Sequence, residues 1–315
     1  KFKTFKMNHF SILNLANQHR STKLIISKLK KSHPHWNIKG VLEKTGIKKL
    51  YISSENEDVL NLSIKSGKKT LKNFNKKKID CVIVVTQTAK KKLPSVACMI
   101  QDQLNLKKNI IAFDIGLGCS GFVYGLSIIN SLISSNTVKT VLLICADTYN
   151  KFLDDQNRTC KTIFSDAASS CIIQKTDSNK KVKFSFLTDG SGATDLMENN
   201  NNIEMKGSNI FHFTTKNIPI LFNDILKKNN LNKKNIDHFI FHQASKLVID
   251  KLTEILKLDE NKVFKNYDKV GNTVSSSIPI ALQSLKKNNK IKKNQKIMLV
   301  GFGVGLSAAA CIINW

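Results

Sequence analysis

The sequence predicts an α/β protein in which parallel strands are covered by helices. Short β-type runs alternate with helix-length segments along the chain, the apolar spacing changes period to match, and 315 residues can bury a large core. No Pro- or Ser-rich linker and no repeat of fixed period divides the chain. Two intimately packed halves are therefore expected, not two separate beads.

The basic opening KFKTFKMNHF runs into FSILNLA, which reads as a strand and not as a cleaved leader. CVIVVT (81–86) and IIAFDI (110–115) are short, largely apolar runs of the kind found in buried strands. A helix-length stretch extends from Cys119 to about residue 135, and TVLLICAD (140–147) returns to a strand. KTDSNKKVK (175–183) is polar and reads as a surface crossover. The second half repeats the theme: HFIFH (238–242) is a strand, QASKLVIDKLTEIL from 243 a helix, and SSIPIALQSL (276–285) another. The last stretch, MLVGFGVGLSAAACIINW, reaches the lower length limit of a membrane helix. Gly301, Gly303 and Gly305 instead split it into two buried neighbouring strands joined by a tight turn.

A formal net charge of +27 would ordinarily point to nucleic acid or an anionic membrane surface. Arginine, however, occurs only at Arg20 and Arg158, and a protein built to grip phosphates uses the arginine fork. Lysine is spread through every loop without interleaved aromatics, so neither nucleic acid nor a membrane is the expected partner. The charge does favour an acidic protein partner through long-range steering. Seven scattered cysteines without a CxxC pair give no disulfide framework and no zinc site, which fits a reducing cytoplasm.

The chemistry gathers at three places. In DIGLGCSGFVYG (114–125) a glycine turn ends a strand and a helix begins at Cys119, where dipole and free amides favour thiolate. Read alone, Cys119 is equally a nucleophile or a buried packing residue. His242 ends an apolar strand at a helix start, where α/β sheets collect active residues, although a lone histidine is commonly structural. Asn272, in YDKVGNTVSSSIPIAL, reads by itself as an N-cap.

These stretches together resemble the β-ketoacyl-(acyl-carrier-protein) synthase III family of the thiolase superfamily. The similarity runs in the family's order through EKTGIKKLYIS (43–53), LPSVACMIQ (93–101), FDIGLGCSGFVYGL (113–126), NRTCKTIFSDAASS (157–170), LTDGSGATDL (187–196), FHQAS (241–245), GNTVSSSIPIAL (271–282) and GFGVGLS (301–307). It implies a thiolase-like fold of two pseudo-duplicated α/β halves packed as a layered α/β/α/β/α core. Residues 1–175 would carry the nucleophilic Cys119 and residues 176–315 would carry His242 and Asn272. It implies decarboxylative Claisen condensation of an acyl thioester with malonyl-acyl-carrier protein, with Cys119 as acyl carrier and His242 and Asn272 as donors to the enolate. The backbone amides of Cys119 and Val304 would form the second oxyanion site. Coenzyme A or phosphopantetheine thioesters would be substrates, with Arg158, Trp36, Leu93 and Ser245 in contact with substrate. No metal or redox cofactor is expected, and a homodimer is.

Departures from the family pattern shape the expectation further. Val304 replaces a small residue, Phe164-Ser165-Asp166-Ala167-Ala168 replaces a glycine-richer motif, Ser245 replaces an asparagine, and Lys44 stands where arginine is frequent. Leu93 occupies a position that in relatives reaches across a dimer to close the acyl tunnel, so a leucine there leaves room for longer or branched primers and for a role in a modification pathway. Lys246 and Lys251 are candidates for docking the carrier protein. Two alternatives stay open: transfer from Cys119 to an oxygen or nitrogen acceptor with His242 as base, and an idle relative that only binds the carrier. A thiolate-prone Cys119 would be alkylated ahead of the other six cysteines at mildly acidic pH.

Overall fold

The computed structural model describes residues 10–19, 23–178 and 181–315; residues 1–9 and part of the expected 175–183 crossover lie outside them. The first sheet contains β1 (Phe10–Gln18), β2 (Cys81–Val85), β3 (Ile111–Ile115), β4 (Thr140–Asp147) and β5 (Ala167–Lys175), in the order β1-β5-β4-β2-β3. The second contains β6 (Phe184–Thr188), β7 (His238–Phe241), β8 (Lys296–Gly303) and β9 (Ser307–Asn314), in the order β7-β8-β9-β6.

Pairing is parallel from β4 through β2 to β3 and antiparallel at β5 and β1. The second sheet repeats this: β8 runs parallel to β7 and antiparallel to β9, which pairs antiparallel with β6. Where a fifth strand would extend the sheet beyond β7, a single parallel bridge joins Phe239 to Val263. The duplication that no sequence period announces is therefore written in the hydrogen-bond pattern.

Seven helices matter to this arrangement: α1 (Ile38–Thr45), α2 (Val59–Thr70), α3 (Val96–Gln103), α4 (Gly121–Ser134), α5 (Gly207–Asn229), α6 (Lys246–Ile255) and α7 (Ser277–Lys287). Strand periodicity sorts them into layers. Ile83 and Val85 point to the middle of the molecule, against Phe122 and Leu126 of α4, while Val82 and Val84 point outward to Leu62 of α2 and Ile100 of α3. In the second sheet Ile297 and Leu299 face inward to Ile278 and Leu282 of α7, and Met298 and Val300 face outward to Phe222 of α5 and Ile249 of α6. The layers run α/β/α/β/α, and α4 is apolar nearly all round because sheets cover it on both sides.

Helix starts follow from local chemistry. Asp58 and Asn61 form a capping box at α2. The Asp114 carboxylate accepts from Val96 N–H at 2.6 Å and Ala97 N–H at 2.8 Å, which fixes α3 against β3. The helix expected from residue 243 begins at 246 instead. Gln243 is buried and donates to Phe241 O and Phe264 O, so the chain stays extended until Ser245 caps α6. The C-terminal stretch forms the β8–β9 pair, and among the described residues no helix is long and apolar enough to cross a membrane.

The buried middle layer gives a stability test. Leu126→Ala, in α4 between the sheets, should cost about 2–5 kcal/mol in urea unfolding. Ile220→Ala, at a side chain 60% exposed on α5, should stay within about 0.5 kcal/mol. Equal effects would contradict the layering.

Candidate active site

β3 ends at Ile115, and the chain turns at Gly116-Leu117-Gly118, with Gly121 N–H donating to Gly118 O at 2.8 Å. Cys119 consequently stands buried just ahead of α4. The backbone of β8 passes directly over it. A Cβ on Gly301 would lie 2.8 Å from Cys119 O, and one on Gly303 would lie 2.9 Å from Cys119 Sγ, so only glycine permits the approach. The turn after β8 then brings the Val304 amide near enough to the sulfur to lower its pKa, as the amide of Cys119 itself does. Ser307 Oγ donates to Val304 O at 2.8 Å and pairs with Ser120 Oγ at 2.8 Å, holding Val304 through its own carbonyl on the peptide that follows. The two amides named from the resemblance thus converge on one atom. The first helix amide does not join them, because Gly121 N–H is committed to Gly118 O.

His242 follows β7, its N–H donating to Val300 O at 2.8 Å and its ring standing edge-on to Phe302 at 5.5 Å. Asn272 is pinned on three sides. Its N–H donates to Ile163 O at 3.0 Å, its carbonyl accepts from Ser165 N–H at 2.8 Å, and its Oδ1 accepts from Val274 N–H at 2.9 Å. That last bond orients the carboxamide, leaving the Nδ2 amine free to donate. Gly271 at φ 70° and Val274 at φ 50° shape this turn, the latter in a region that a β-branched residue seldom occupies.

Cys119, His242 and Asn272 line one cavity of about 470 Å³, at its buried end. At its exposed end stand Lys44 and Arg158, neither of which has an ion-pair partner among the described residues. Ser245 also lines the cavity while capping α6.

Other sequence expectations are corrected. Trp36 is only 4% exposed and stacks on His33, centroids 3.9 Å apart, so it cannot face a nucleotide. The stretch between it and Gly46 winds into α1, which presents Asn37, Gly40 and Lys44 to the cavity and turns Trp36 into core. Leu93 is not among these corrections: it is 84% exposed and outside the cavity of its own chain, as a residue expected to reach across a dimer would be. Lys246 is paired with Asp250 and Lys251 with Glu254, so neither offers a free charge for docking.

Sequence reasoning also missed Asp147, which is fully buried at the end of β4. Its carboxylate accepts from Gln87 N–H at 2.9 Å, from Thr88 Oγ1 at 3.3 Å, and from both Oγ and N–H of Ser275. The one signal in the sequence was an acid closing an otherwise apolar run. Burial pushes its pKa up to about 7, against those hydrogen bonds.

Burial dominates the titration of the site as a whole. It pushes the Cys119 thiol up to about 12, helped by the Asp147 charge and opposed by the two amides. The same cause takes His242 down to about 3, so the imidazole is neutral. The direction runs against the expectation of a thiolate-prone cysteine: desolvation outweighs the Cys119 and Val304 amides.

Fold and site together define a thiolase-like condensing enzyme. Comparison with known proteins gives the family. The model for 3-oxoacyl-(acyl-carrier-protein) synthase III matches residues 113–190, and that for its C-terminal region matches 226–315. A β-ketoacyl-(acyl-carrier-protein) synthase III of Rickettsia bellii is 32% identical over 290 residues, covering 89% of this chain and 91% of the relative. That of Clostridioides difficile is 34% identical, covering 86% and 88%. The crystal structure of the Aquifex aeolicus 3-oxoacyl-(acyl-carrier-protein) synthase III superposes with a TM-score of 0.91 at 29% identity, covering 97% of this chain and all of that one. The chain belongs to the β-ketoacyl-(acyl-carrier-protein) synthase III family.

The raised thiol pKa sets the reactivity of the free protein. Thiolate becomes more abundant as pH rises toward about 12, so alkylation of Cys119 by iodoacetamide should accelerate roughly tenfold per pH unit between about pH 7 and pH 9, with exposed Cys98 modified first. A rate already level at neutral pH would mean that the thiolate is stabilised after all.

Proposed function

We propose that the protein joins an acyl unit carried on Cys119 to a malonyl unit by decarboxylative condensation, releasing a 3-oxoacyl thioester. The observation that carries this reading is the Val274 N–H bond to Asn272 Oδ1, which leaves Nδ2 as a donor in the same cavity as neutral His242 and the thiol. In loading, Cys119 Sγ attacks the acyl carbon, the donor's C–S bond breaks, and the cysteine proton leaves with the departing thiol. The Cys119 and Val304 amides hold the transient oxyanion. In condensation the malonyl C–C bond to its carboxylate breaks and carbon dioxide departs. His242 and Asn272 donate to the enolate oxygen, and the carbanion attacks the acyl carbon while the C–Sγ bond breaks, Cys119 taking up one proton from solvent to become the thiol again. No electrons are gained or lost overall, so this scheme calls on no metal or redox cofactor.

Lys44 and Arg158, unpaired at the mouth, suit the phosphates of a coenzyme A or phosphopantetheine arm, and an acyl-carrier protein is the extender's carrier. A homodimer fits the edge of β3, which among the described residues pairs only with β2, and the exposure of Leu93. Seven free thiols fit a reducing cytoplasm. Transfer to an oxygen or nitrogen acceptor is less well served, since a base must hold a proton and burial takes His242 down to about 3.

The test is carbon dioxide release from malonyl-carrier protein, read beside acylation of Cys119 by intact mass. His242→Ala and Asn272→Ala should each slow release by about two to three orders of magnitude while Cys119 still acylates. Unchanged release in both variants, or acyl transfer to an amine without carbon dioxide, would sink the reading.

A further inference from the structure

We propose that Asp147 is a positioning residue for condensation, its buried carboxylate tying the segment after Asn272 to the loop after β2 so that the carboxamide keeps its aim into the cavity. This rests on Asn272 acting as a donor to the enolate. Asp147 closes β4 with its side chain wholly buried. Its Oδ1 accepts from Gln87 N–H at 2.9 Å and Thr88 Oγ1 at 3.3 Å, and its Oδ2 accepts from the N–H and the Oγ of Ser275. Four donors from two separate stretches of chain thus end on one side chain. An ionised carboxylate offers an acceptor to each of them, whereas a carboxamide has a single oxygen and turns an amine on whichever stretch it abandons.

Val274 transmits the hold. Asp147 grips Ser275, and the preceding residue, Val274, donates its N–H to Asn272 Oδ1 at 2.9 Å, the bond that leaves Nδ2 to the substrate. Ser276 Oγ donates to Cys145 O at 2.6 Å, fastening the same segment to β4 once more. Without Ser275 in place nothing on that side keeps Val274 at its positive φ, and the carboxamide loses the donor that orients it. The other parts of the site are held elsewhere: His242 N–H bonds to Val300 O on β8, and the Cys119 turn is fixed by the glycines of β8 and by the Ser120–Ser307 pair. The Asp147 charge also pushes the Cys119 thiol up, together with Cys145 and Tyr149, so neutralising it makes that thiol easier to ionise. Loss of the carboxylate should therefore harm condensation and spare loading.

The test separates the two half-reactions in each variant. Acetylation of Cys119 by acetyl-coenzyme A is read by intact mass, and carbon dioxide release from malonyl-carrier protein is read beside it. Asp147→Asn keeps the shape of the side chain; it should slow release at least about tenfold while acetylation stays within about threefold of native or quickens. Ser275→Ala, which removes one bond and leaves the charge, should slow release at least about threefold with acetylation unchanged, and it carries the test if the Asp147 variant does not fold. A merely structural role would lower both half-reactions together. Equal losses in the two, or unchanged release in a folded variant, overturns the positioning role while release by the native protein keeps the condensation reading intact. No release by the native protein overturns both.

Discussion

The approach of glycine backbone in β8 to the Cys119 turn is the contact on which the site depends. Side chains would hold the sheets apart here; without them Gly301 and Gly303 lie against Cys119, and Ser120 meets Ser307. β8 then acts as a ruler. Its parallel register with β7 pairs Phe241 with Val300, which sets His242 beside Gly301. Its turn into β9 delivers Val304 N–H to the sulfur. One strand therefore fixes the Val304 amide, the His242 imidazole and their distance from Cys119, and a shift in its register would misplace all of them together.

The carboxamide is held from the other direction. Asp147 gathers the loop after β2 and the segment after Asn272 onto one buried carboxylate, with no cation bonded to it among the described residues. Burying an anion this way is costly unless its hydrogen bonds are satisfied, and here they are. The bonds from Ser275 also hold Val274 in its left-handed conformation, a strain of order 1–3 kcal/mol that the surroundings must over-determine. Equivalent places in the duplicated topology carry the two chemistries: Cys119 stands just ahead of α4, and Asn272 stands ahead of α7, its counterpart in the middle layer.

How much of this was legible in the sequence depends on the range of the interaction. Cys119, His242 and Asn272 were readable through the family resemblance, since local pattern alone left Cys119 equally a packing residue and Asn272 an N-cap. Trp36 was misread since its position depends on how the chain up to Gly46 folds, and α1 consumes that stretch. The pairing of Lys246 with Asp250 and of Lys251 with Glu254 was visible at helical spacing, but counting charges singly concealed it. Leu93 could not be judged from one chain. The thiol's titration was misjudged for a different reason: a helix start is a local feature, while desolvation belongs to the whole enclosure. The expected duplication left no fixed period in the sequence because hydrogen-bond order can persist after side-chain similarity has gone.

A site that keeps its thiol protonated and its imidazole neutral is suited to chemistry in which charge appears only in passing. The low polarity that raises Cys119 and lowers His242 also strengthens every N–H aimed at a developing oxyanion, because the attraction between donor and charge scales inversely with the local dielectric. The shifts and the catalytic power thus share one cause. A standing thiolate would occupy the amides of Cys119 and Val304, the ones that the proposed condensation gives to the tetrahedral oxygen. Holding the proton until the thioester arrives keeps them available at the moment when charge moves from sulfur to oxygen.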